Sequence, residues 1–314
     1  MIAALLLALA APNTVPRVDP LTATVETSDV DRFAAIFDAA GGVPTAVDLQ
    51  RDYLDPGSEG VRVFTPDRIE SAAHLAKAVA ADRAGYDRAL RVCLPIVRET
   101  EGELRATYLA LHGLLPDRPL PRIFLVMGAN NSGGTAAPGV QVLGLEVLCR
   151  ISATPDALRA TLRSFYAHET VHALQHDPDV ALAAANGNAL LQNVLVEGAA
   201  DFIATLVTGQ QIDPARAAWG LANERMLWSR FDADLALQGS GDLSRGKPAG
   251  DALFRWVGNA GDPPAGWKSE AGYWIGQRIW QRWYDRQPDK HAAIRRMLTL
   301  DRLGEVLAAG RYTG

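Results

Sequence analysis

His168 and His172 stand four residues apart, with Glu169 directly after the first, in the segment His168-Glu169-Thr170-Val171-His172. On a helix, positions i and i+4 share a face and lie about 6 Å apart along the axis. Two imidazoles so placed can converge on one tetrahedral ion at about 2.0–2.1 Å. Glu169 falls roughly 100° around the helix, beside such an ion, where a carboxylate can polarise water. The chain has 6 His and 12 Glu. Chance would give this pattern in about 0.4% of chains of that composition. The competing reading, a solvated helix face that carries two histidines, is therefore the weaker one.

A catalytic zinc site needs a third protein ligand and one open position. The metzincin arrangement would place Gly at position 175 and His at 178. The chain has Gln175 and Pro178 there, which excludes that class. A glutamate on a later helix is the other option. Glu197 supplies it, 25 positions after His172, within Leu195-Val196-Glu197-Gly198-Ala199-Ala200-Asp201. Its surroundings, Leu190 to Leu206, are mostly apolar, and a carboxylate in such a helix needs a partner or costs several kcal/mol. A zinc ion is one such partner; a buried ion pair with an arginine is the alternative. Asp201, on the same helix face, is expected to accept a hydrogen bond from the second nitrogen of a ligand histidine and so fix its tautomer.

His168-Glu169-x-x-His172 followed by Glu197-Gly198-Ala199-Ala200-Asp201 resembles the gluzincin zinc metallopeptidases. It looks closest to a bacterial family of predicted zinc-dependent proteases. Asn131 to Thr135, Gly272 to Gly276 and Asp52-Tyr53-Leu54 are similar to further segments of that family. The resemblance implies one catalytic zinc, held by His168, His172 and Glu197. The expected chemistry is metal-assisted hydrolysis of a peptide or protein substrate. Glu169 would accept a proton from water and pass it to the leaving amine. A gluzincin also uses a Tyr or His as a second donor to the oxyanion. Tyr273, on a glycine-flanked helix start, is the first candidate, with core packing beside Trp274 and Trp280 as its competing role. Tyr166 and His176 are weaker candidates. By analogy, an edge strand would pair with extended substrate, and Gly139 to Val147 is expected to serve.

These residues need two helices and a sheet to position them. Thr154 as cap and Pro155 as first residue predict a helix running to about His176. A second is predicted from about Asn188 to Val207, with Gly209 as its stop. Before them, Arg122 to Met127 and Gly139 to Val147 read as strands, with Asn130 to Gly134 as a turn cluster. Together they suggest a hairpin or two neighbouring strands. Upstream, Ser28 to Ala40 and Thr45 to Leu54 read as helices. Thr65-Pro66-Asp67 reads as the start of a long helical region that ends near Leu115. Downstream, Gly239 to Gly250 and Asn259 to Gly266 read as loops, Glu270 to Asp285 as a helix, and two short helices close the chain. The expected fold class is α+β, predominantly helical. Its organisation is a helical region over 12–118, a zincin-like core over 119–210 and a C-terminal helical lobe over 211–314. Five of the seven tryptophans lie between Trp256 and Trp283 and suggest a core in that lobe. His74, His112 and His291 read as structural or surface residues, and Asp177 and Asp179 as solvated.

A chain of 314 residues suffices for one large domain or two closely packed lobes. A net charge of -5 argues against a nucleic-acid or anionic-membrane partner. Residues 1–11 end in the A-x-A-like Ala8-Leu9-Ala10 and read as a signal peptide without its basic start. That run is too short to span a bilayer, and no later stretch is expected to. A periplasmic or secreted protein without stable membrane insertion follows. Cys93 and Cys149 could then form a disulfide or remain two buried thiols. Two other functions stay open: a non-catalytic zinc protein, and a zinc hydrolase of a non-peptide amide. The intact Glu169 disfavours the first, because metal binding alone does not need it.

Overall fold

Four short strands form one mixed sheet in a chain that is otherwise helical, the α+β class expected. The computed structural model describes residues 18–175, 189–238 and 242–312. Residues 1–11, His176, Asp177 and Asp179 lie outside these. The strands are β1 (Val25–Glu26), β2 (Arg122–Val126), β3 (Gly134–Ala137) and β4 (Val140–Gly144), in the order β1-β2-β4-β3. β1 and β4 both pair with β2 in parallel, and β3 pairs with β4 antiparallel.

The sheet departs from expectation in two places. The hairpin joins β3 to β4 through Pro138 and Gly139, the latter at φ +75°. Of the two options read from sequence, β2 and β4 take the second: they are neighbouring strands, and parallel. β3 arises partly from what read as a turn cluster, because Gly134-Thr135-Ala136-Ala137 has none of the bulky apolar residues that mark a strand. β4 stops at Gly144, and Leu145–Ile151 is helical. A short, continuously apolar run fits a buried strand and a buried helix equally well.

Helices cover both faces of the sheet. Glu59–Phe64 lies on one, so close that a Cβ on Gly60 would fall 2.3 Å from the Phe124 side chain. On the other lies the motif helix, Pro155–Leu174, started by Thr154, whose hydroxyl accepts from the Ala157 N–H, and by Pro155. Next comes the glutamate helix, Ala189–Thr208, stopped by Gly209 at φ +68°. This helix is long and apolar enough to cross a membrane, contrary to the sequence expectation that no later stretch would be. Most of its apolar residues, among them Leu190, Val194, Leu195, Phe202 and Ile203, are buried in the protein core.

Two helix starts are also displaced. Thr65–Ile69 continues from Glu59–Phe64 as a π-helical turn. The Thr65 hydroxyl donates to the Val61 carbonyl, and Ser71 caps the next helix instead. The loop after residue 241 ends at Lys247, and Pro248–Trp256 is a helix that contains Gly250. The tyrosine helix, Ala271–Asp285, is where sequence placed it.

A single apolar cluster runs from Ala23 to Leu307, so the three regions share one core. Trp256, Trp274 and Trp280 are buried in it as expected, and the Trp280 indole donates to the Leu195 carbonyl on the glutamate helix. Cys93 and Cys149 form a disulfide that ties the N-terminal helices to the helix after β4.

Candidate metal centre

The motif helix and the glutamate helix cross so that three ligand atoms meet. His172 Nε2 lies 3.0 Å from His168 Nε2 and 3.2 Å from Glu197 Oε2, and His168 Nε2 lies 3.4 Å from the same oxygen. Tetrahedral bonds of 2.0–2.1 Å place neighbouring ligands about 3.3 Å apart. The triangle therefore has the dimensions of a tetrahedral metal site with one position left open. His168, His172 and Glu197 can hold a metal ion.

The outer nitrogens decide what this triangle contains. His168 Nδ1 lies 2.9 Å from Asp201 Oδ1, and His172 Nδ1 lies 2.7 Å from Gln175 Oε1. The Gln175 amide orientation is fixed, because its Nε2 donates to the Val196 carbonyl at 3.1 Å. Both acceptors require a proton on Nδ1, which leaves a lone pair on each Nε2. Two lone pairs and a carboxylate oxygen then face one another in a largely buried space. Such a group repels itself unless a proton or a cation sits inside. Without a cation, burial opposes a charge on His168, but the hydrogen bonds to Asp201 and Glu197 outweigh it and lift its pKa to about 10. Burial likewise opposes the charge on His172, and Glu197 outweighs it, so that pKa is also raised. Burial pushes Glu197 upward, and the two histidines overcome this and hold it well below the usual carboxylate range.

Asp201 is nearly enclosed, with its second oxygen 2.6 Å from Arg216 Nη2. The arginine ion pair considered for Glu197 thus belongs to Asp201. The Arg216 guanidinium lies over the Tyr273 ring at 4.9 Å, and that ring stacks on His168 with centroids 5.9 Å apart and planes 3° from parallel. Tyr273 is therefore at the site, and it also packs against the core that holds Trp274 and Trp280. Its hydroxyl makes no hydrogen bond among the described residues. Burial, reinforced by the negative charges of Glu197 and Glu270, raises its pKa well above 10.0, so it stays a neutral donor. Close backbone packing brings the ring there. Gly198 and Gly276 face each other, and a Cβ on Gly276 would fall 1.9 Å from the Val194 carbonyl oxygen.

Glu169 is buried, and its carboxylate makes no ion pair or hydrogen bond among the described residues. It lies against β3, where a Cβ on Gly134 would come within 2.9 Å of Oε1. Among the described residues the open edge beside it is β3 and not Gly139 to Val147, since β4 is paired on both sides. Tyr166 is not part of the site. It is fully buried and its hydroxyl bonds to that of Thr100 at 2.7 Å. His74 and His291 make hydrogen-bonding contacts with backbone carbonyls away from the centre.

Sequence reasoning used Gln175 only to exclude a class and missed its contact with His172. Its spacing of three from that histidine was the available signal. Arg216 comes from a separate helix, Pro214–Ala222, and carried no signal.

No family model, curated protein or solved structure matches this chain.

Proposed function

We propose that the protein is a zinc-dependent peptidase of the gluzincin type, exported to an oxidising compartment. The observation that carries this is a largely buried triangle of three electron-pair donors beside a carboxylate, Glu169, with no structural partner among the described residues. The donors suit the ion: two neutral imidazoles and one carboxylate match a catalytic zinc site, and the second shell of Asp201 and Gln175 fits it too. The chemistry that zinc supplies when bound is Lewis acidity toward water and toward a carbonyl oxygen.

The remaining work falls to the chain. Asp201 and Gln175 hold the histidines in the tautomer that binds metal. Glu169 accepts a proton from the attacking water and returns it to the leaving amine. Tyr273 offers its hydroxyl proton to negative charge that develops on the carbonyl oxygen. β3 presents a free edge to an extended chain. The Gly144 N–H donates to the Gly133 carbonyl, and antiparallel pairing alternates, so Gly134 and Ala136 turn their polar groups away from β4; the Gly134 carbonyl accepts from the Ser132 hydroxyl at 2.8 Å, which leaves the Gly134 N–H and both groups of Ala136. A peptide can pair there beside Glu169. The disulfide supports export, because such bonds persist in oxidising compartments.

The test joins metal analysis to substitution. Purified protein is expected to contain about one zinc per chain. Glu169→Gln should keep the metal and lose hydrolysis of fluorescein-labelled casein, whereas Glu197→Ala should lose the metal. A wild type that takes up no zinc would remove the basis of the proposal. Zinc uptake without any effect of Glu169→Gln on hydrolysis would reject the general base. Zinc uptake with no hydrolysis of any peptide would favour the non-catalytic or non-peptide reading.

A further inference from the structure

β4 reads Val140-Gln141-Val142-Leu143, and its one polar side chain is fully buried. A buried amide is costly unless both of its ends are bonded. Here both are, and to the same helix. Gln141 Nε2 donates to the Phe165 carbonyl at 2.8 Å, and Gln141 Oε1 accepts from the Thr170 hydroxyl at 2.8 Å. Phe165 lies one helical turn before Glu169, and Thr170 directly follows it. The amide thus grips the turn of the motif helix that carries Glu169. Gln141 is also the register partner of Ala136 on β3. One side chain therefore ties the Glu169 turn to the strand pair whose edge, at Gly134, faces the Glu169 carboxylate.

An apolar residue of similar size would fill the same volume. Apolar contact is non-directional, though, and lets a helix slide along a sheet, whereas two bonds of 2.8 Å fix both height and register. The metal ligands have anchors of their own besides this clamp. Asp201, Gln175 and the crossing of two helices hold them, and none of these contacts involves β4.

We propose that Gln141, acting with Thr170, is a positioning residue that sets the distance between the Glu169 carboxylate and the substrate edge of β3. The proposal rests on the peptidase reading above. It separates catalysis from metal binding within one site.

The test uses the zinc-loaded full chain. Thr170→Val and Gln141→Met should keep zinc affinity within about threefold of wild type. Both should lower kcat on fluorescein-labelled casein by roughly 10-fold to 100-fold, the scale set by displacing a reacting group by about 1 Å. Thr170→Ser, which keeps the hydroxyl, should restore kcat. The double variant should be no worse than Gln141→Met alone, which already removes the Thr170 bond together with the one to Phe165. Wild-type kcat in Thr170→Val, failure of the serine to rescue, or a parallel loss of zinc affinity would overturn the proposal. A wild type that cleaves no casein or peptide counts against the peptidase reading instead. Crystal structures of wild type and Thr170→Val then decide the positioning role without turnover: a displaced Glu169 carboxylate supports it, and an unmoved one overturns it.

Discussion

Gly198→Ala adds one methyl group where two helices touch through their backbones. Its Cβ would lie 2.2 Å from the Gly276 carbonyl carbon, 2.4 Å from the Gly276 Cα and 2.5 Å from the Gln277 nitrogen. These are backbone atoms and cannot rotate away. Ordinary carbon contact begins near 3.5 Å, so the helices must part by roughly 1.3 Å or more. A gap of 0.5–1 Å already forfeits about a quarter to a half of each dispersion contact. The interface concerned includes Val194, Leu195 and Ile203 against Ile275, Ile279 and Trp280, all fully buried. Overpacking of this kind costs about 3 kcal/mol, and the better helix propensity of alanine returns about 1 kcal/mol. The expected net loss is about 2 kcal/mol, read from urea denaturation of the full chain. Gly113→Ala is the control. It also sits in a helix, but a Cβ there meets nothing within 4 Å. It should gain roughly 0.5 kcal/mol from a less flexible unfolded chain. If Gly198→Ala were as stable as Gly113→Ala, the close approach of the two helices would be refuted.

Replacing both cysteines with alanine releases a constraint over a sequence separation of 56 residues, which corresponds to a loss of about 4 kcal/mol in oxidising buffer. An unchanged denaturation midpoint would show that the bond is not formed. Glu146 is fully enclosed, and its burial outweighs the N–H groups of Gly128 and Asn130 and pushes its carboxyl up from 4.5 to about 7. The folded state then binds the extra proton more tightly, so its stabilising contribution is complete below pH 4.5 and is lost as pH rises through 7. The loss is at most about 3 kcal/mol. Glu146→Gln should flatten the difference between urea melts at pH 5 and pH 8, and an undiminished difference would exclude this residue as its source. Asp201→Asn should weaken zinc binding by about 10-fold to 100-fold in a chelator competition, because the His168 tautomer is no longer enforced. Unaltered affinity would remove Asp201 from the second shell.

The centre was legible in sequence because its parts obey short-range rules. His168 and His172 share a helix face by spacing alone, and the helix announces itself through Thr154 and Pro155. Glu197 and Asp201 stood out as charges in an apolar helix. What failed to show depends on the folded chain. Arg216 and Gln141 reach their partners across elements, and nothing in their immediate neighbours differs from a surface arginine or a strand polar residue. β3 was hidden because a short edge strand needs little side-chain packing, so small residues suffice. Leu145 to Cys149 lost its period because every position is buried. The cysteine pair lies 5.8 Å apart at Cα, a distance that only the packed N-terminal helices create.

The two rims of the sheet have different fates. β1 contributes only two residues, which leaves little for another molecule to join. β3 is open but short, and Pro138 closes it immediately. An exposed strand edge is a template for aggregation, and a protein that must offer one to client chains risks offering it to its own copies. On the proposed reading the edge offers only the Gly134 N–H and the two groups of Ala136, which would hold a brief extended segment and are too few for sheets to grow edge to edge.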